Sequence, residues 1–299
     1  MIKLKHLAVL LFLLSLLAYP LLIAKASDPF DELSLRVGLD AKSFPDFSQE
    51  DLEVSIKLLS EELGKEIGIQ TTITVYDDIK AMRTDFQQGI INFVVASSIL
   101  LVTQFDTQQF TDGFRFVRAD STPDQVLVLS QKKYGKTDLK NFLGKRLVLA
   151  KSDPMTELYM DYLARRTFKQ GYQKSFKEMP REKKTHQLIL KLFFNQADIT
   201  CVYYNAYQTA IDLNPQLEEQ LQIIAHTDNI PQGAGFFHKD VPLEFRESVI
   251  TQVLKLARYT RGQQLLQLFK SDVAVRSNTV DLLSTKKFYE AYRRLVSGK

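Results

Sequence analysis

Few residues of this chain have the type and spacing that reaction chemistry needs. Of the four histidines, His6, His186, His226 and His238, no two have the spacing that sets imidazoles around one metal. The only cysteine, Cys201, lies in Ile199-Thr200-Cys201-Val202-Tyr203, a β-rich apolar run that would bury the thiol and leave it inert. The patterns G-x-S-x-G, H-E-x-x-H, the Walker loop and the dinucleotide fingerprint do not occur. No metal, no cofactor and no enzymatic activity are expected on these grounds. Hydrogen-bonding groups are better placed. Ser97-Ser98 stand where an apolar strand gives way to a helix, which makes both hydroxyls candidate ligand donors. Asn205 follows the Cys201 strand; it donates and accepts without charge, so it either reads a neutral group or caps the helix beginning there.

These groups need a frame, and hydrophobic period supplies one. From Leu33 onward, short β-branched runs alternate with helical periodicity, the pattern of an α/β protein with a largely parallel sheet. Residues 35–39 read as a buried strand. Ser48 with Asp51 three residues on opens a helix, Leu52, Ile56, Leu59 and Leu63 give it one apolar face, and Gly64 and Gly68 bracket its end. Strand 71–76, helix 77–88 and strand 91–95 complete one βαβαβ unit. A second unit runs through strands 125–130 and 146–150, helix 155–168, strand 172–176, helix 185–196 and strand 199–203. Strands 222–227 and 235–238, on either side of Pro231-Gln232-Gly233, would carry the chain back; 243–259, 262–269 and 286–296 read as helices. The run Arg181-Glu182-Lys183-Lys184 reads as a solvated loop.

The expected fold is therefore α/β, with two doubly wound lobes, a central cleft and a helical C-terminal tail. Residues 27–123 and 233–270 would form the first lobe, 124–232 the second and 271–299 the tail. A length of 299 residues is also where a single core stops growing. Ligands of open α/β sheets bind outside the carboxyl ends of the strands, so two facing lobes bring those ends to one cleft. Gln125 and Gln232, near the crossovers, would line its hinge side.

Residues 1–26 read as an export signal: Lys3 and Lys5, an apolar run from Leu7 to Ala24 broken by Pro20, then Ala24-Lys25-Ala26. Cleavage near Ala26 and a free periplasmic product are expected; retention as a membrane anchor is the alternative. No cysteine near the cleavage site offers a lipid anchor. The chain has 39 basic and 35 acidic side chains, and Lys3, Lys5 and Lys25 fall in the leader, so the remainder is nearly neutral. Nucleic acid, which calls for a basic stripe, is not an expected partner.

Four segments resemble the phosphate/phosphite/phosphonate-type substrate-binding proteins of ABC uptake systems. They are Leu35-Arg36-Val37-Gly38-Leu39 with the helix ending Leu63-Gly64-Lys65-Glu66-Ile67-Gly68; Gln88-Gly89-Ile90-Ile91-Asn92-Phe93; Thr137-Asp138-Leu139-Lys140-Asn141-Phe142-Leu143-Gly144-Lys145-Arg146; and Ala197-Asp198-Ile199-Thr200-Cys201-Val202-Tyr203. The third is the most specific. The resemblance implies a type II periplasmic-binding-protein fold that closes over a small solute by hinge motion. The implied partners are a small polar ligand, either neutral or anionic (phosphonate/phosphate-like), and an ABC permease, with a membrane sensor (kinase or cyclase) or a ligand-free interaction role as alternatives, and a monomer is expected.

The resemblance also points to residues. A Gly-Ser-Thr-Ser-Gly helix start that holds an oxyanion is usual in the family, and here the equivalent is Lys151-Ser152-Asp153-Pro154-Met155-Thr156-Glu157. Ser152 and Thr156 are the hydroxyls left, while Asp153 and Glu157 would repel a dianion or cap the helix. Thr185-His186 resembles the family's Ser-His pair. Tyr203 ends the strand where the family often has an acidic residue for a ligand amine, and Lys42 stands where a tyrosine is common, either adding a cation to the cleft or remaining solvated.

Overall fold

The structure, a computed structural model, describes residues 34–44, 46–119, 124–135 and 138–298. The leader, its cleavage site and residues 27–33 lie outside the described residues. The chain opens with strand β1 (Ser34–Asp40), helix α1 (Gln49–Ile67), β2 (Gln70–Tyr76), α2 (Ile79–Gln87), β3 (Phe93–Ser97) and α3 (Ser98–Gln104). Strands β1, β2 and β3 are parallel, with β1 between the other two. Helix α1 forms where expected because Ser48 Oγ accepts from the Asp51 amide at 3.1 Å, and it ends where Gly68 adopts φ +68°.

Strand β4 (Phe110–Val117) then joins the same sheet, and β5 (Val126–Gln131), β6 (Leu147–Ala150), helix α4 (Pro154–Phe168), β7 (Arg181–Glu182), α5 (Thr185–Phe193), β8 (Ile199–Tyr203), α6 (Tyr204–Leu213) and β9 (Leu221–His226) build a second one. Strand β10 (Gly233–His238) returns to the first sheet, followed by α7 (Leu243–Leu254), α8 (Thr260–Leu268), β11 (Val273–Ser277) and α9 (Leu283–Ser297). The strand orders are β11-β4-β10-β3-β1-β2 and β7-β6-β8-β5-β9. The two crossovers run side by side: the Asp124 amide donates to Asn229 Oδ1, and the Ile230 amide to the Asp124 carbonyl.

Several expected elements differ. Residues 172–176, expected as a strand, form a one-turn helix, Tyr172–Ser175, because Tyr172 buries its ring and its amide donates to Asp161. Residues 181–182, expected as loop, pair with the edge of β6 as β7. Strand β4 was not expected at all, and the tail begins with β11 before turning helical. Both strands carry charges that look unfit for a sheet until Asp112 meets Arg246 and Arg276, at 2.8 and 3.1 Å. Helix α9 then leaves the first sheet and packs against both α3 and α4. Its Phe288 ring lies 5.9 and 5.2 Å from Tyr159 and Tyr162, and its Tyr292 hydroxyl donates to Asp161 at 2.8 Å.

Candidate functional site

Between the two sheets lie two spaces of very different character. The first is a gap of about 10 Å³, lined by Lys42, Ser43, Ser97, Ser152, Asp153, Pro154, Tyr203 and Gln232. That is room for one water. The second is a chamber of about 330 Å³ that starts at the same residues, Ser97, Asp153, Tyr203 and Gln232, and runs beneath the first sheet toward α1. Its walls are mostly apolar: Leu35, Val37 and Leu39 of β1, Phe93 and Val95 of β3, and Ile56, Leu59 and Leu63 of α1. The period of two along a strand puts these alternate residues on one face.

The polar groups near the gap are already satisfied by the protein itself. At α4, Asp153 Oδ1 accepts from the amides of Met155 and Thr156 at 3.1 and 3.2 Å, with Pro154 in the first turn. Removal from water pushes the Asp153 carboxyl up to about 6, against the pull of those amides. At α5, the Thr185 amide donates to Asp46 Oδ1 at 2.8 Å, and Asp46 also meets Lys270 at 3.2 Å. At the start of α3, the Ser97 amide donates to Ser43 Oγ at 2.7 Å, whose hydroxyl donates to Asp40 at 2.6 Å. Burial raises the Asp40 carboxyl, and the Ser43 hydrogen bond lowers it in part. Two of these three helix starts, the positions that attract anions, thus hold an internal carboxylate.

Among the described residues, polar ties from one sheet's layer to the other include Asp46 to Thr185, and Arg118 to Thr209 and Asp212 on α6 at 3.0 and 2.9 Å, beside the Tyr292–Asp161 bond of α9. Asn205 Nδ2 donates to Gln232 Oε1 at 3.1 Å, tying α6 to the returning crossover.

The expected site residues separate into four groups. Lys42 and Ser152 line the small gap, Ser97 and Tyr203 line both spaces, and Thr185, His186 and Asn205 line the chamber. Tyr203 is buried, and that burial pushes its phenol well up. Ser98, Gln125 and Thr156 line neither. Ser98 is fully buried as the first residue of α3. Thr156 is buried too, and its hydroxyl donates to the Asp153 carbonyl, so the helix consumes it. Gln125 faces His226 at 3.2 Å on the outer side of β5 and β9. Cys201 is buried in β8, and burial raises its thiol, which suits an inert side chain.

Sequence reasoning missed Ser43, Asp46 and the aromatic wall of the chamber. Phe44 and Phe47 lie 6.0 Å apart, Phe47 and Phe269 6.2 Å, Phe269 and Phe116 5.3 Å, Phe116 and Phe114 5.9 Å, and Phe114 and Phe93 4.8 Å. These six rings form a continuous string along the chamber. Gly235 makes room for it, since a Cβ there would fall 2.2 Å from the Phe93 ring. The crowding of aromatics at 44–47 and 114–116 was the available signal.

Two sheets whose strand ends meet at one cleft define a bilobal solute-receptor fold. The periplasmic substrate-binding family of phosphonate ABC transporters matches residues 43–282, and the chain belongs to it. Among solved structures, the chain is similar to the PhnD1 protein of Prochlorococcus marinus in complex with methylphosphonate, with 16% identity and a TM-score of 0.64, over 90% of this chain and 99% of that one. It is also similar to PA3383, a binding-protein component of an ABC phosphonate transporter from Pseudomonas aeruginosa, with 14% identity and a TM-score of 0.63 over 89% and 88%. A third is XAC2383 of Xanthomonas citri bound to ATP, with 12% identity and a TM-score of 0.63 over 89% and 99%. At these identities the likeness is one of fold. No curated protein sequence matches the chain.

Proposed function

We propose that this protein is the receptor of an ABC importer: it captures a small solute with a polar end between its two lobes, and the closed form delivers it to a membrane permease without chemical change. The lobes are 27–123 with 233–270, to which β11 adds an edge strand, and 124–232. The chain works as a monomer, freed into the periplasm by cleavage near Ala26. The observation that carries this reading is the convergence of Ser97 from the first sheet and Tyr203 and Asn205 from the second on one partly open space, in a chain of the phosphonate-transporter family. A permease is favoured over a sensor kinase by that family membership, and the lack of an activated nucleophile among the described residues argues against catalysis.

The test is closure with binding. Protein exported and purified from the periplasm is first analysed by native mass spectrometry for retained solute. Small-angle scattering then follows the radius of gyration as candidate solutes are added. A true ligand contracts the particle and stabilises it by about 2.7 kcal/mol at a hundredfold excess over Kd. Retained mass of zero, together with no contraction and no stabilisation across oxyanions, amines, alcohols and amino acids, would overturn the receptor reading.

A further inference from the structure

Resting on the receptor reading, we infer that the solute is amphipathic: an apolar body that fills the chamber beneath the first sheet, and an uncharged or cationic polar end held at the Ser97–Tyr203–Asn205 mouth. The size of the chamber argues for the body. About 330 Å³ lies in the range of small-molecule pockets, roughly 300–1,000 Å³, whereas the polar gap beside it admits one water. A one-carbon oxyanion would leave nearly all of the chamber empty.

The wall argues for the same conclusion. Ile73, Val95 and Phe116 face the chamber only partly buried, although they are strand residues flanked by core, and Leu59 of α1 is partly buried opposite them. Apolar surface left open inside a lobe is costly unless something covers it, at roughly 25 cal/mol per Å². The six-phenylalanine string, with ring centroids 4.8 to 6.2 Å apart, offers edges and faces along its length to an aliphatic or aromatic body.

The mouth argues for the polar end. Asp153 caps α4 and Asp46 caps α5, so two helix starts of the second lobe present a carboxylate where an anion would need bare amides, and at the start of α6 the Tyr204 amide is taken by the Gln125 carbonyl and the Ala206 amide by Asn205 Oδ1. Of the cations nearby, Lys270 pairs with Asp46, Arg115 with Asp124 at 2.7 Å and Arg118 with Asp212, while Lys42 at the gap makes no ion pair among the described residues but its charge acts on the nearby Asp40 carboxyl. Groups suited to a hydroxyl, amide or amine remain, namely the Ser97 hydroxyl, which has no partner among the described residues, and the Tyr203 phenol.

The chain contains no tryptophan, so Phe116→Trp places a single reporter on the chamber wall, and Phe288→Trp, between α9 and α4, serves as the control. The probes are 1-octanol, octylphosphonate and methylphosphonate. 1-Octanol is expected to blue-shift the Phe116→Trp emission saturably, to leave the Phe288→Trp emission unchanged, and to bind at least tenfold more tightly than octylphosphonate. Leu59→Trp, in a background with Phe116→Trp reverted, should fill the chamber and weaken 1-octanol at least tenfold by thermal shift. The inference is overturned if octylphosphonate binds as tightly as 1-octanol, or if 1-octanol gives no saturable response because the chamber is filled by another part of the chain or a second copy. Contraction by methylphosphonate alone would sink the inference while leaving the receptor reading standing; contraction by no solute at all would remove both.

Discussion

The two lobes share an architecture but differ in how their interiors are filled. In the second, β5 is sealed along its whole length, with Val126, Val128 and Leu129 at 0% exposure; Leu147, Leu149, Met155 and Met160 close one face and Leu188, Ile189 and Leu192 the other, equally tightly. In the first, the face of the sheet toward α1 leaves Ile73, Val95 and Phe116 partly open to a chamber. Protein interiors pack like organic crystals, so a hollow of this size that runs from the cleft into the first lobe, with no counterpart in the filled core of the second, sets the two lobes apart. The second lobe supplies a rigid half that holds Tyr203, Asn205 and the capped helix starts; the first supplies the space.

Truncating the same side chain in each lobe should expose that difference most strongly. Leu149→Ala, in the sealed core, is expected to cost about 3–5 kcal/mol in urea unfolding, because it removes contacts and leaves a cavity. Leu59→Ala, facing existing space, is expected to cost about 1 kcal/mol or less. The reverse change sharpens the test: Leu149→Phe should destabilise by about 1–3 kcal/mol through overpacking, and Leu59→Phe should be neutral or stabilising. Equal costs in the two lobes would show that the chamber collapses in solution. Of similar but somewhat smaller size is the effect at Asp198, which anchors the second lobe by accepting from Arg146 Nε and Nη2 at 3.1 and 3.0 Å and from the Tyr134 hydroxyl at 2.6 Å. Burial works to raise that carboxyl, but these donors outweigh it and hold it well below the usual range. Asp198→Ala should cost about 3 kcal/mol. The wild-type advantage should be complete above about pH 4 and fade as acid protonates the carboxylate.

How much of this was legible in the sequence depends on the reach of the interaction concerned. The βαβ units were readable because Ser48 and Asp153 cap helices within three residues and because Leu52, Ile56 and Leu63 keep helical register. Strands β4 and β11 were not, since Asp112, Arg115 and Arg276 break the apolar alternation and are satisfied only by distant partners. Of the residues that line the chamber, Ser97, Tyr203 and Asn205 were findable as residues at strand ends. Asp46 was not, because its partner Thr185 is 139 residues away. The chamber was hidden for the same reason, as its aromatic string is assembled from residues near 44–47, 93, 114–116 and 269.

The smaller predictions concern the seam between the lobes. Asp46→Ala removes the acceptor of the Thr185 amide and the partner of Lys270, and should weaken the closed arrangement by about 1–2 kcal/mol. The expected readout is a larger radius of gyration in ligand-free protein, with unfolding of the second lobe unchanged; an unaltered radius would mean that the remaining ties, Arg118 with Asp212 and α9 with its Tyr292–Asp161 bond, hold the seam without Asp46.

Asp153 should give the smallest effect and the most specific. Its carboxyl sits at about 6 in the folded protein against an ordinary value of 3.8, so between about pH 4 and 6 the folded chain binds more protons than the unfolded one. Stability must then fall as pH rises through that window, by less than about 1 kcal/mol once partial exposure to the cleft is allowed for. Asp153→Asn keeps an oxygen to cap the Met155 and Thr156 amides but cannot titrate, so its urea midpoint should lose that slope while the Asp198 slope at lower pH persists. If the slope between pH 4 and 6 survives the substitution unchanged, Asp153 is not the withdrawn carboxylate at the mouth. The argument that this helix start turns away an oxyanion would then lose its electrostatic basis.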